Sequence, residues 1–149
     1  MILRERRAER ANDEKLSSKI KHASSDACGE GKPGMSDKAT GFDVATITPE
    51  TGAPAPDRLI SGNPQFTTWN VEEAAGGVYA GIWQSTPGKW RIVYDEWEYF
   101  HILEGQSVVT EDGGEAVHLR AGDSYILRPG FKGTWEVLET TRKDYVIRV

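Results

Sequence analysis

The side chains best suited to catalysis or metal binding are few in this sequence, and they form none of the common motifs. The chain has three histidines, His22, His101 and His118, and one cysteine, Cys28. No Gly-Lys-Ser/Thr ending follows a glycine-rich stretch, which argues against a phosphate-binding loop. No G-x-S-x-G elbow is present for a serine nucleophile, and Cys28 has no spaced histidine partner. We therefore interpret His101 and His118 as ordinary packing or surface residues.

Length and composition restrict the class of protein. The 149 residues include 18 basic and 23 acidic side chains, giving a formal charge of -5. This length suits one domain with a tail. No apolar run approaches the ~20 residues that cross a bilayer, and the net acidity argues against a nucleic-acid-binding protein. A single cysteine excludes an internal disulfide framework, and we expect a cytoplasmic protein.

The chain divides into two unequal parts near residue 41. Residues 1–38 carry nine basic and seven acidic side chains, whereas the rest carries nine basic and sixteen acidic ones. Every aromatic residue lies at Phe42 or later, and aromatic side chains supply much of the apolar area of a core. We predict that residues 1–41 form a disordered extension and that residues 42–149 form a single domain. Alternatively, translation starts at Met35 and the first 34 residues are a mis-assignment.

The second part is predicted to contain many short strands. Runs of β-branched and aromatic residues are separated by Gly, Pro and Asp, and Asp112-Gly113-Gly114 is a hairpin signal. Spacing of roughly 8–12 residues per strand favours an all-β antiparallel sandwich or barrel over βαβ units. The predicted strands are Phe42–Ile47, Phe66–Val71, Gly77–Gln84, Lys89–Tyr94, Trp97–Leu103, Gln106–Glu111, Glu115–Leu119, Ser124–Leu127, Thr134–Leu138 and Lys143–Arg148.

Several blocks in this region occur in an order typical of one family. They are G-I-W-Q-S-T-P-G-K-W (81–90), E-Y-F-H-I-L-E-G (98–105), A-G-D-S-Y-I-L (121–127), P-G-F-K-G-T-W-E-V-L-E (129–139) and R-K-D-Y-V-I (142–147). On these blocks the chain resembles the cupin superfamily, and within it the small single-domain cupins related to ureidoglycine aminohydrolase and to an ethanolamine-utilisation protein. The resemblance implies a double-stranded β-helix, the cupin jelly roll. It also implies a homodimer, which would protect exposed strand edges.

The resemblance also bears on metal binding. Many cupins hold a divalent metal with two histidines two residues apart on a strand, a carboxylate and a later histidine, which together form a mixed N/O site. The carboxylate position corresponds to Glu98 and the last histidine position to Gly133. The first two histidine positions also hold other residues, Arg91 and Val93 with one spacing or Ile92 and Tyr94 with the other. We therefore expect no tightly bound metal and no other cofactor.

A cavity inside the jelly roll would still suit a small ligand. Glu98 would be its central polar group, acting either as an acid or base or as half of a structural ion pair. In one register Arg91 pairs with Glu98 and could bind a carboxylate bidentately, whereas in the other Tyr94 points inward. Lys132 is either a ligand-binding cation or a solvated loop residue. Trp135 is the best aromatic candidate for the wall.

The leading hypothesis is a cupin that binds a small polar or acidic metabolite without a tightly bound transition metal. Its expected partners are that ligand and a second copy of the chain, with no nucleic acid and no membrane. One alternative is a metal-dependent enzyme of the ureidoglycine aminohydrolase type, in which Glu98 binds Mn²⁺ or acts as the acid or base. Another is a non-catalytic accessory or sensing cupin.

Overall fold

Strands account for all of the regular secondary structure in the part of the chain that is described. In the computed structural model this part is residues 38–149, and the interpretations of His22, Cys28 and Met35 lie outside it. Residues 38–149 contain nine strands and no helix, so this region has no helical segment that could cross a membrane. The all-β fold class predicted from the sequence is confirmed.

The strands run in chain order as follows. They are β1 (Glu50–Gly52), β2 (Leu59–Gly62), β3 (Phe66–Ala74), β4 (Val78–Ser85), β5 (Gly88–Val93), β6 (Trp97–Glu111), β7 (Ala116–Arg120), β8 (Ser124–Leu127) and β9 (Lys132–Arg148). Most agree with the predicted strands to within a few residues, because runs of β-branched and aromatic residues alternate there between a buried and an exposed face.

The prediction of a strand over Phe42–Ile47 is wrong. This segment forms turns, in which the Asp43 carboxylate accepts a hydrogen bond from the Ala45 N–H at 3.0 Å and the Val44 carbonyl accepts one from the Ile47 N–H at 3.1 Å. A carboxylate that bonds to the backbone two residues later favours a turn over a strand.

No predicted strand covers β1 or β2. All residues of β1 and β2 are exposed, so no buried face produces an alternating pattern of apolar side chains. Backbone pairing holds each of them at an edge, β1 against β3 and β2 against β5.

β6 and β9 each unite two segments that were predicted as separate strands. They pair with each other from Trp97↔Arg148 to Glu111↔Gly133, with register shifts between Ile102 and Ser107. The first part of β6 also pairs with β8 and its second part with β7. The first part of β9 pairs with β5 and its second part with β4.

This pairing folds one continuous antiparallel sheet into two facing halves. One half has the order β1-β3-β4-β9-β6-β8 and the other the order β2-β5-β9-β6-β7. β6 and β9 therefore belong to both halves. The arrangement is the jelly roll that the resemblance implied.

Gly105 lies where β6 passes from one half to the other. Its φ is +83°, in the left-handed region that glycine adopts without steric cost. A Cβ at this position would overlap the backbone carbonyl of Thr140, which lies at the corresponding bend of β9. Glycine therefore permits both the conformation and the close approach of the two strands.

Aromatic side chains from both halves fill the interior. The ring centroid of Phe66 on β3 lies 5.0 Å from that of Trp90 on β5, so these two contact each other across the fold. Trp135 on β9 lies 6.0 Å from Trp83 and 5.2 Å from Phe100. All five rings are buried, and each such side chain contributes roughly 1.5–3 kcal/mol through burial.

Candidate functional site

A buried ion pair lies inside the jelly roll. Glu98 on β6 and Lys143 on β9 occupy inward-facing positions, with alternating exposed neighbours in each strand. The Lys143 Nζ donates a hydrogen bond of 2.7 Å to the Glu98 Oε1, and the two side chains are only 5% and 4% exposed. A buried charge without a partner is very costly, so each of these side chains depends on the other.

Three aromatic rings surround the Lys143 ammonium. Its Nζ lies 4.5 Å from the ring centroid of Trp135, 4.6 Å from that of Phe100 and 5.1 Å from that of Trp83. Such cation–π contacts stabilise a cation that has lost its water. Trp83 and Trp135 contact the ammonium through their ring faces, and their indole Nε1 atoms have no hydrogen-bond acceptor within the described region.

Tyr94 lies close to the same ion pair. Ile92 and Tyr94 are buried whereas Arg91 and Val93 are partly exposed, so the register with Tyr94 inward is the one formed. Burial is the main cause that raises the pKa of Tyr94 well above its usual value, and the negative charge of the nearby Glu98 adds to it. The phenol is therefore held in its neutral form beside the carboxylate.

Tyr94 is expected to make the domain sensitive to alkali. Because its pKa is raised in the folded state, its contribution to stability is complete below the unfolded pKa of about 10 and is lost as the pH rises through the folded value. Wild type should thus lose stability above pH 10 more steeply than Tyr94→Phe, measured by urea unfolding at each pH. Parallel pH profiles for the two proteins would contradict this.

Arg91 and Lys132 lie on the outer side of the sheet. The Arg91 guanidinium donates two hydrogen bonds to the Asp112 carboxylate, at 2.6 and 2.7 Å. This contact raises the pKa of Arg91 and lowers that of Asp112, and the charge of Lys132 lowers the latter slightly further. Of the two alternatives, the one in which Arg91 pairs with Glu98 is not formed, because strand alternation turns Arg91 outward to Asp112.

His101 and His118 also face outward. His101 lies on the opposite face of β6 from Glu98, as strict alternation predicts, and its Nδ1 is 3.3 Å from the Asp144 Oδ2. His118 is exposed on β7. Neither ring approaches the interior ion pair.

The interior does not fit the metal that the fold family implies. Within residues 38–149 no three His, Cys, Asp or Glu side chains are grouped as metal ligands. The Glu98 carboxylate is instead bound by an ammonium group. One engaged carboxylate is a poor ligand set for a transition metal, which prefers several N, O or S donors in fixed geometry.

An open cleft lies beside this interior, between the two halves of the sheet on the side of β7 and β8. Its volume is about 600 Å³, within the range of roughly 300–1,000 Å³ that is usual for small-molecule sites. Its apolar wall includes Phe100, Val109, Val117, Leu119, Tyr125 and Leu127. The Phe100 ring also contacts Lys143, so it separates the cleft from the buried ion pair.

The structure thus brings three of the five predicted site residues, Tyr94, Glu98 and Trp135, to the buried ion pair. The second member of this pair, Lys143, was not predicted. Alternation along the predicted strand Lys143–Arg148 places Lys143 on the same face as the buried Tyr145 and Ile147. The sequence pattern therefore indicated that this lysine points inward. The cleft itself was missed, because it depends on how far apart β7 and β8 lie.

The chain matches the family described as the EutQ-like cupin domain over residues 72–145. No curated protein sequence is significantly similar to it. Among solved structures it is similar to a protein of unknown function of the DUF861 family from Pseudomonas syringae pv. tomato, at 27% identity and a TM-score of 0.63. That match covers 70% of this chain and 45% of the other, so this chain spans less than half of the Pseudomonas protein.

Two further structures share the fold at lower identity. The EutQ protein of Clostridium difficile is 19% identical with a TM-score of 0.52, over 65% of this chain and 79% of that one. Ectoine synthase from P. lautus is 18% identical with a TM-score of 0.53, over 61% and 68% of the two chains. The family match over residues 72–145, the similarity to the Pseudomonas structure and the strand topology together show that the protein is a small member of the cupin superfamily with an EutQ-like cupin domain.

Proposed function

We propose that this cupin binds a small molecule in the cleft between its two sheet halves. The observation that carries the proposal is the cleft of about 600 Å³, which combines a partly buried apolar wall with charged residues. Val109, Leu119 and Leu127 are nearly fully buried, so they form a preformed surface. Apolar clefts with a few polar groups are the usual form of small-molecule sites.

We also propose that binding needs no tightly held transition metal. The buried Lys143 supplies a fixed positive charge next to Glu98, at 2.7 Å. The ion pair lies behind Phe100, and its two members satisfy each other. This supports a structural role for Glu98 rather than a role as a metal ligand or a catalytic acid or base.

The ligand is expected to be small and polar or acidic at one end. Arg128 follows β8 and lines the cleft, and it is exposed there. A guanidinium in this position can bind a carboxylate bidentately. Arg128 thus takes the ligand-binding role first considered for Arg91 and Lys132, which lie on the outer side of the sheet.

A thermal-shift screen of carboxylates, amines and ureido compounds tests the proposal. A ligand that binds only the folded state at 100 times its Kd stabilises it by about 2.7 kcal/mol. Val117→Trp should abolish the shift, because the exposed Val117 side chain lines the cleft and an indole would fill part of it. The shift should survive treatment with a chelator.

The matched control is His118→Trp. His118 is the next residue of β7, is exposed, and is not part of the cleft lining, so its substitution should leave the shift unchanged. Equal shifts in wild type and Val117→Trp would place the ligand elsewhere and refute the proposal. Stoichiometric Mn, Fe, Ni or Zn in protein purified without a histidine tag would refute the metal-independent part.

A further inference from the structure

We infer that the cleft takes a zwitterion with an apolar body, such as an amino acid with an apolar side chain. The inference rests on the proposed function and specifies the chemical class of its ligand. It follows from the presence of both signs of charge in one apolar cleft, contributed by Arg128, Glu111 and Glu115.

The chain fold brings these charges to one end of the cleft. β8 ends at Leu127, and the Arg128 carbonyl accepts a hydrogen bond of 3.1 Å from the Phe131 N–H, which closes a tight turn. β9 begins directly afterwards and pairs with the end of β6 at Gly133↔Glu111. Arg128 and Glu111 therefore lie on either side of this turn, and Glu115 follows in the adjacent hairpin.

In the described part of the chain, these three side chains line the cleft without an ionic partner, unlike the charges of two exposed salt bridges. Lys89 pairs with Glu136 at 3.0 Å and Arg91 with Asp112 at 2.6 Å, both outside the cleft lining. Within residues 38–149, Arg128, Glu111 and Glu115 form no ion pair shorter than 4.0 Å. The cleft therefore offers a guanidinium for a carboxylate and two carboxylates for an ammonium group.

The cleft wall determines the rest of the ligand. Phe100 and Tyr125 are stacked, with ring centroids 6.2 Å apart and an interplanar angle of 26°, and Val109 and Leu119 add aliphatic surface. A ligand carrying charges alone would leave this surface in contact with water, whereas an apolar or aromatic side chain would bury it. The apolar body thus supplies affinity, and the two charges fix its orientation.

Four matched probes test the inference by calorimetric titration of the full chain. L-phenylalanine carries both charges and a ring, 3-phenylpropionate lacks the ammonium, 2-phenylethylamine lacks the carboxylate, and glycine lacks the body. L-phenylalanine should bind most tightly, and loss of either charge should weaken binding at least about tenfold, because the hydrogen bonds to that charged group are then missing. Glycine should bind most weakly.

Two sets of substitutions assign the charges. Arg128→Gln should weaken L-phenylalanine and 3-phenylpropionate about tenfold and leave 2-phenylethylamine unchanged. Glu111→Gln combined with Glu115→Gln should weaken the binding of L-phenylalanine and 2-phenylethylamine and leave that of 3-phenylpropionate unchanged. All three residues are exposed, so we expect these variants to fold, which an unchanged melting temperature without probe would verify.

The outcomes separate this inference from the proposed function. Equal affinity for L-phenylalanine and either singly charged probe would contradict the inference that the ligand is a zwitterion. Failure of all four probes to bind would contradict it as well. If a neutral or singly charged compound bound instead and Val117→Trp abolished its binding, the cleft would remain the site. If no compound bound in a way that depended on Val117, both ideas would fail.

Discussion

Substitution of Lys143 by methionine is expected to lower the free energy of unfolding by about 3–5 kcal/mol, because it leaves a buried carboxylate without its partner. Methionine can retain much of the contact that the lysine stem makes, so the loss reports mainly on charge. The Nζ is also removed from the faces of three aromatic rings. Urea unfolding of wild type and variant, followed by tryptophan fluorescence, measures the difference.

Two control variants separate the charge from the packing. In Glu98→Met with Lys143→Met both buried charges are gone, and the double variant should recover most of the lost stability, because apolar replacements of a whole buried pair are often neutral or better. Lys89→Met removes an ammonium from the exposed pair with Glu136 and should cost about 0–1 kcal/mol. A double variant as unstable as Lys143→Met would contradict the ion-pair explanation.

Gly105→Ala is expected to destabilise the domain by about 2–5 kcal/mol, from the left-handed backbone and from overpacking together. The new Cβ would overlap the Thr140 carbonyl, so the backbone of β9 must shift at the bend where it changes halves. Thermal and urea unfolding give the magnitude.

Gly113→Ala is the matched control for this substitution. Gly113 has a similar φ of +77°, and a Cβ there would meet nothing within 4 Å. It should therefore show only the backbone cost of about 1–2 kcal/mol. Similar losses for the two variants would mean that the close approach of β6 and β9 has no energetic importance.

The fold was predictable from the sequence where strands have one buried face. In β5, where buried and partly exposed residues alternate, the predicted limits Lys89 and Tyr94 differ by one residue from the observed limits Gly88 and Val93. The hairpin at Asp112-Gly113-Gly114 is present between β6 and β7. β1 and β2 have no buried residues, so no alternation marked them. The union of two predicted strands into β6 escaped prediction because Gly105 separates them in the sequence, whereas in the structure it permits a bend within one strand.

The interior site was only partly predictable. The metal-ligand pattern of the cupins identified Glu98 through its carboxylate position, and strand alternation correctly placed His101 on the other face of β6. The sequence could not decide between the pairs Arg91/Val93 and Ile92/Tyr94, because the two spacings differ by one residue and a shift of one reverses the face. Lys143 escaped notice because a lysine within a strand is usually solvent-exposed, although strand alternation places it on the same face as the buried Tyr145 and Ile147.

The two long strands have a consequence for how the domain opens. Because β6 and β9 run through both halves of the sheet, separating one half from the other would break the same ladder that holds each half together. Partial unfolding of one layer is therefore suppressed, and the amide protons of β6 and β9 should exchange with solvent only through global unfolding. Their contacts span distant parts of the chain, from Trp97 to Arg148, so the polypeptide must close long loops before this ladder forms, and folding should be slow for a domain of this size.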